Sequence, residues 1–275
     1  MSKVTYEIGQ RKLHIVDEEL GLFLDEPFLL PRVGIDHSDL AYRYVEEKDD
    51  KGFVQRAYFS RGDLWHGEYV TYYGEGKIAS SVFYQEGLLH GPSRFFSRGG
   101  RLLSESWFYE GKQIGKSCLY YESGEIYSIQ RYNFGKKEGL HEYFYEDGSV
   151  KTKMSFVGDL LEGSVFLFFQ GNRKKREIFF VRGKKEGFDR IWSEEGILLD
   201  EGEYCGGYPK GVHRRWHRNG SIKEEVFYHT TSRFDCRRFD QQGCCIYESL
   251  YLPDGSCQEK KWKPPHGLVA VNECL

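Results

Sequence analysis

Apolar positions recur along this chain every 24 residues, and the columns they form are largely aromatic. One column runs Tyr72, Phe96, Tyr120, Phe144, Phe168, Trp192 and Trp216; a second runs Tyr84, Phe108, Tyr132, Phe156, Phe180, Tyr204 and Tyr228. An aliphatic column, Ile78, Leu102, Ile126, Val150, Leu198 and Ile222, lies between them and is broken by Lys174. The columns stand at even offsets, so on an extended chain they share one face of each strand. Glycine keeps the same period. Gly67, Gly91, Gly115, Gly139, Gly163, Gly187 and Gly211 form one series. A second, nine residues behind, is Gly76, Gly100, Gly124, Gly148, Gly196 and Gly220, with Asn172 in the one remaining place. A third is Gly87, Gly111, Gly135, Gly183 and Gly207, with one slip to Gly158.

Each unit thus reads as two strands of about six residues joined by glycine turns. In the fourth, His141 to Tyr145 is the first strand, Glu146 to Ser149 the turn and Val150 to Phe156 the second strand; Gly158 to Gly163 crosses to the next unit. No unit has a helical period or room for a crossover helix. The register continues, weakened, through Gly52 and Val54 upstream and Phe239, Gly243 and Tyr251 downstream. The reading is an irregular N-terminal cap over 1–41, about eight to nine repeats over 42–252, and a flexible tail over 253–275. The predicted fold is all-β: an elongated, twisted antiparallel sheet of tandem 24-residue hairpins, an open meander roughly 80 Å long at about 4.8 Å per strand. Its stability must come from stacking of neighbours, because a lone hairpin cannot hide its aromatics.

Composition agrees with this pattern. Of 275 residues 16% are aromatic, 32 are Gly and only 2 are Met, which argues against a helical bundle. The 39 basic and 42 acidic residues leave a net charge of −3, which gives no global pull toward nucleic acid. The best apolar stretch, Leu20 to Leu30, is too short to span a bilayer and carries Asp25, Glu26 and Pro27. Lys3 is followed by no apolar signal region, and seven cysteines at low density fit a reducing compartment. A soluble cytoplasmic protein is expected, with peripheral membrane attachment and non-Sec export left open.

Candidate chemistry thins out on inspection. Gly111 to Ser117 has the outline of a phosphate loop, but it has three rather than four residues between the glycines and no following helix. His213 and His217 would chelate from a helix, yet on a strand they stand about 13 Å apart, too far for one zinc. His66 and His90 fall in equivalent positions two strands apart and read as polar turn and surface residues. Cys236, Cys244, Cys245, Cys257 and Cys274 crowd the C-terminal stretch without a C-x-x-C pair, so ordinary thiols are expected rather than metal or redox chemistry. Asn219-Gly220-Ser221 is a glycosylation sequon and also a hairpin turn in register.

A unit of this form resembles the MORN repeat (membrane occupation and recognition nexus), most closely its bacterial variant. The stretches LHGPSRFFSRGGRLLSESWFYEGK and EGLHEYFYEDGSVKTKMSFVGD carry the likeness. His66 and His90 match the His that often precedes the first Gly; Glu138, Glu162 and Glu186 depart from it. The resemblance implies a twisted sheet with one hairpin per repeat. Elsewhere such repeats accompany lipid-kinase and lysine-methyltransferase domains, and the flanks here are too short for either. A non-enzyme without cofactor, metal or small-molecule substrate is expected.

What remains is surface. Phe95, Leu119, Tyr143, Leu167 and Ile191 stand one residue before the first aromatic column, and Phe83, Trp107, Phe179 and Phe227 one before the second. Both sets are expected on the face opposite the aromatics, either as a protein-binding stripe or packed beneath a coiled sheet or a folded-back tail. Residues 171 to 218 hold twelve basic residues against eight acidic. Arg173, Lys174, Lys175, Arg176, Lys184, Lys185, Arg214, Arg215 and Arg218 form the candidate patch for anionic lipid or an acidic protein, against the plainer reading of a solvated face. The expected function is protein–protein interaction or scaffolding; the alternatives are anionic membrane binding through 171–218 and, by analogy with bacterial relatives, neutralisation of a toxin.

Overall fold

The computed structural model describes residues 41–262 and, before them, the backbone of β1 (Ser2–Ile8), β2 (Arg11–Asp17) and β3 (Leu22–Leu24). The rest of the expected cap, and the tail with Pro264, Pro265 and Cys274, lie outside the described residues. The chain divides into two compact units: residues 1–150 with 155–160, and residues 151–154 with 161–275. Every described element is a strand.

In the first unit, β1, β2 and β3 pair in order as a small antiparallel sheet. The repeat strands follow: β4 (Tyr42–Lys48), β5 (Val54–Arg61), β6 (Leu64–Tyr72), β7 (Ile78–Gln85), β8 (Leu88–Phe96), β9 (Leu102–Tyr109), β10 (Lys112–Tyr120), β11 (Ile126–Asn133), β12 (Lys136–Lys137) and β13 (Gly139–Phe144). The division of the sequence into units runs through β14 (Val150–Val157) and β15 (Leu160–Leu161). The second unit holds β16 (Gly163–Phe169), β17 (Arg173–Val181), β18 (Lys184–Trp192), β19 (Leu198–Cys205), β20 (Tyr208–Trp216), β21 (Ile222–Tyr228), β22 (Phe234–Phe239), β23 (Cys245–Tyr251) and β24 (Cys257–Lys261). Within each unit successive repeat strands pair antiparallel with their sequence neighbours, so the fold is an all-β meander of tandem hairpins. β24 places a further strand in the stretch for which a flexible tail is expected.

Two kinds of turn alternate, which explains the glycine series. The nine-behind series closes loops such as Tyr73 to Lys77, where the Gly76 amide donates to the Tyr73 carbonyl at 2.9 Å. The third series closes two-residue turns: Glu86 and Gly87 both have positive φ, 49° and 78°, as the type I′ hairpin requires. So tight a turn leaves most of the expected crossing free to join the ladder. The first glycine series therefore lies inside or at the start of strands. There each faces an aromatic of the second column, as in Gly67↔Tyr84, Gly91↔Phe108 and Gly211↔Tyr228. Gly91 has φ 106°, and a Cβ there would press on Phe83 at 3.3 Å, so the position resists any side chain.

Candidate functional site

Cross-strand pairing defines two faces. Tyr84, Phe108 and the other second-column rings mark an aromatic face, where Val82, Ser93 and Ser106 share the next row. The expected single stripe divides between the faces. Phe95 pairs with Ser80 and Ser104, Leu119 with Ser104 and Ser128, and Ile191 with Arg176 and Asp200, all on the aromatic face. Tyr143 and Leu167 belong to the same row. A bulge beside the first aromatic column, as between Phe95 and Phe96, breaks the alternation on which a common outer face depended. Phe83, Trp107, Phe179 and Phe227 do lie on the outer face, but Trp107 is buried while Phe179 and Phe227 are exposed. Phe188 and Val212, also exposed there, carry no 24-residue aromatic column and were not legible as part of the stripe.

A second bulge, at the first glycine series, leaves a gap in the ladder that histidine fills. His141 is fully buried and its Nε2 lies beside the backbone of Arg131. Burial pushes its pKa down to about 4, against the pull of the hydrogen bond to the Arg131 backbone. His213, three repeats on, makes the same contact with the Glu203 carbonyl at 2.8 Å. His217 instead meets the Phe239 carbonyl at 3.0 Å. His66 and His90 are buried, not surface turn residues, because the tight turns end before them and they sit within β6 and β8. The Glu86 carboxylate stands 3.1 Å from the His66 ring.

Charge is organised rather than pooled. On the outer face of the second unit, one residue from each of eight strands joins a row of alternating sign: Glu177, Arg190, Glu201, Arg214, Glu225, Arg237, Glu248 and Lys260. Hydrogen bonds of 2.6 to 2.9 Å join Arg190 to Glu201, Arg214 to Glu225 and Arg237 to Glu248. The 24-residue spacing of Glu177, Glu201 and Glu225 was the readable signal for this row. Five of the nine candidate basic residues are held in ion pairs: Lys174 with Glu177, Arg176 and Lys185 with Asp189, Arg214 with Glu225, and Arg215 with Asp200 and Glu224. Burial alone would raise the Asp189 pKa, but hydrogen bonds from Arg176 and Lys185 outweigh it and hold the carboxyl below its usual value. Lys174 keeps its place in an aliphatic column by laying its ammonium over Phe166 and Trp192, 5.6 and 5.1 Å from the ring centres. The Arg173 guanidinium donates to the Glu194 carbonyl, Lys175 covers the Phe169 ring, and Lys184 and Arg218 are exposed.

Among the described residues no three His, Cys, Asp or Glu side chains are grouped to hold a metal, and no helix is long and apolar enough to cross a membrane. Cys236 is buried, which pushes its thiol pKa up, while Cys244 and Cys257 are exposed. A depression of about 610 Å³ in the second unit is lined by the ion-paired Arg215, Glu224 and Arg238 with His217, Phe239 and Asp240.

A family model, described as the MORN repeat variant, matches residues 65–86, 137–157 and 209–229. Each match contains a two-strand arm of the meander, and at these three places the chain carries MORN-variant repeats. Repeats of this kind are associated with binding of proteins or membrane lipids. A search of curated proteins finds no match to the chain.

Proposed function

We propose that the protein is a non-catalytic binding module that engages another protein through its sheet surface. The observation carrying this reading is the exposure of Phe179, Phe188, Val212 and Phe227 on one face of the second unit, beside a charge row that neutralises itself. Exposed apolar side chains of this size favour a partner that brings apolar surface of its own. Anionic lipid is the weaker reading, because five of the nine basic candidates already have carboxylate partners. The toxin-neutralising reading is a special case of protein binding and has no observation of its own.

The test is retention of a native partner by Phe179→Ser/Phe227→Ser against Lys184→Glu/Arg218→Glu, each checked for folding. Loss with the first pair alone supports the reading. Loss with the second alone, together with retention on anionic vesicles that disappears at high salt, replaces it with lipid binding.

A further inference from the structure

The alternating row on the outer face of the second unit is not demanded by the repeat. In the first unit the same columns hold Ala57, Val70, Ser81, Cys118 and Ile129, and their strands pair in the same antiparallel order. From Glu177 to Lys260, by contrast, acid and base alternate across eight strands without a break, and the row carries no net charge. Its side chains stay partly open to solvent: Arg190 is 35% exposed, Glu201 23% and Arg237 54%. A carboxylate has two oxygens and a guanidinium five donors, so one ion pair within the chain exhausts neither.

An alternating row with an even number of members has a property that an odd one lacks: reversed end for end, it is its own complement. A second copy laid face to face on the first, about a two-fold axis running along the strands between β20 and β21, reverses the row in this way. Glu177 then faces Lys260 of the second copy, Arg190 faces Glu248, Glu201 faces Arg237 and Arg214 faces Glu225, each contact occurring twice. The same operation turns over the adjoining row. It sets exposed Val212 against exposed Phe227, and exposed Phe188 against Leu250. Glu203 and Asp235 also meet, and each brings a basic partner of its own, Lys210 at 3.2 Å and His229 at 2.9 Å. A copy laid on without reversal opposes like charges at every place. The eight strands offer a face of about 34 by 23 Å, roughly 800 Å², which is what each side of an ordinary specific interface buries.

We propose that the outer face of the second unit binds a second copy of this chain, forming a two-fold symmetric dimer in which the row from Glu177 to Lys260 lies reversed upon itself. The charges set direction and register, since a shift by one strand opposes like charges throughout. Phe188, Val212 and Phe227 supply the apolar area that the contact buries. The inference rests on the protein-binding reading and names its partner.

Sedimentation equilibrium of the full chain should show a monomer–dimer equilibrium with a dissociation constant below about 100 µM. Val212→Ser/Phe227→Ser should weaken association about tenfold or more, and Phe95→Ser on the aromatic face should leave it unchanged. Glu177→Lys and Lys260→Glu should each weaken it severalfold. An equimolar mixture of these two variants should recover the parent's affinity, because in the mixed dimer both contacts again join a base to an acid. No effect of either charge variant, no recovery on mixing, equal association of the parent and the Val212/Phe227 variant, or loss with Phe95→Ser alone overturns the proposal. So does a parent that stays monomeric; if a native partner is still lost with Phe179→Ser/Phe227→Ser, the protein-binding reading then stands with a different partner. Should the Val212/Phe227 variant unfold, recovery on mixing the charge variants decides alone.

Discussion

His141 reaches across a break in the sheet to Arg131, with Nε2 2.8 Å from the carbonyl oxygen and 3.2 Å from the amide nitrogen of that residue. In one tautomer the ring donates to the carbonyl; in the other it accepts from the amide. The carbonyl also accepts from the Glu138 amide at 3.0 Å, so the ring matters most to the Arg131 amide, which the bulge has taken from the ladder. His141→Phe fills the space but not the bond, and should cost roughly 1–3 kcal/mol in denaturant unfolding. Unchanged stability would mean that solvent satisfies the Arg131 backbone equally well.

The same residue predicts a pH dependence. Its folded-state pKa is lowered to about 4 from an ordinary 6.5, so the folded state favours the neutral ring. Its contribution is complete above the unfolded value and is lost as pH falls from 6.5 toward 4, with a limiting slope of about 1.4 kcal/mol per pH unit. His141→Gln should flatten unfolding free energy between neutrality and about pH 5, relative to the parent.

Asp189 is buried and holds Arg176 through two hydrogen bonds, of 2.8 and 2.7 Å, and Lys185 through one of 2.6 Å. Asp189→Asn leaves two cations facing a neutral amide and should destabilise the second unit by about 3 kcal/mol. Because the carboxyl is held below its usual value, its contribution is present above the unfolded pKa and lost as pH falls through the lowered folded one. Thermal unfolding of parent and variant should therefore converge in acid.

Gly202 faces Asp189 across the ladder, and a Cβ there would collide with the His213 ring. Gly202→Ala should displace that ring from the Glu203 carbonyl and cost about 1–3 kcal/mol, although its backbone φ suits alanine. A changed His213 ring resonance in NMR spectra would report the displacement directly.

Arg182 holds φ 48° in a tight turn, a conformation that Asn adopts more readily. Its backbone amide donates to Glu162 whatever its side chain. Arg182→Asn should raise the unfolding midpoint, the gain being about 1 kcal/mol. A lowered midpoint would show that the Arg182 side chain contributes more than its backbone strain removes.

The meander was legible because its columns are enforced in every repeat: a ring opposite Gly67 or Gly211 is as necessary as the glycine. The face of a given side chain was less legible, since it depends on counting through bulges. One extra residue beside Phe96 or Tyr120 moves Phe95 and Leu119 to the face opposite the one expected. The closure of Trp107 was hidden for another reason. Its column gives Phe179 and Phe227 the same local sequence logic, yet Trp107 is buried and they are exposed, a difference the repeat pattern does not carry. His141 escaped notice because its column holds Ser, Val and Asp in the repeats between and before, with His again only at His213, so no steady period announces it.

The alternating row from Glu177 to Lys260 has a consequence for how the second unit finds its alignment. A slip by one strand would set like charges side by side along the whole row, so that error is rejected electrostatically. A slip by a full hairpin restores opposite-sign pairs, because like charges recur every second strand, 24 residues apart from Glu177 to Glu225 and 23 apart from Arg214 to Arg237 and beyond. Discrimination between whole repeats is left to residues that occur in one place only, such as the Gly202–His213 close approach and the Asp189 cluster. Loss or gain of two successive strands keeps the alternation of sign, and the 23-residue step from Arg214 to Arg237 keeps it too, so the row counts strands rather than residues.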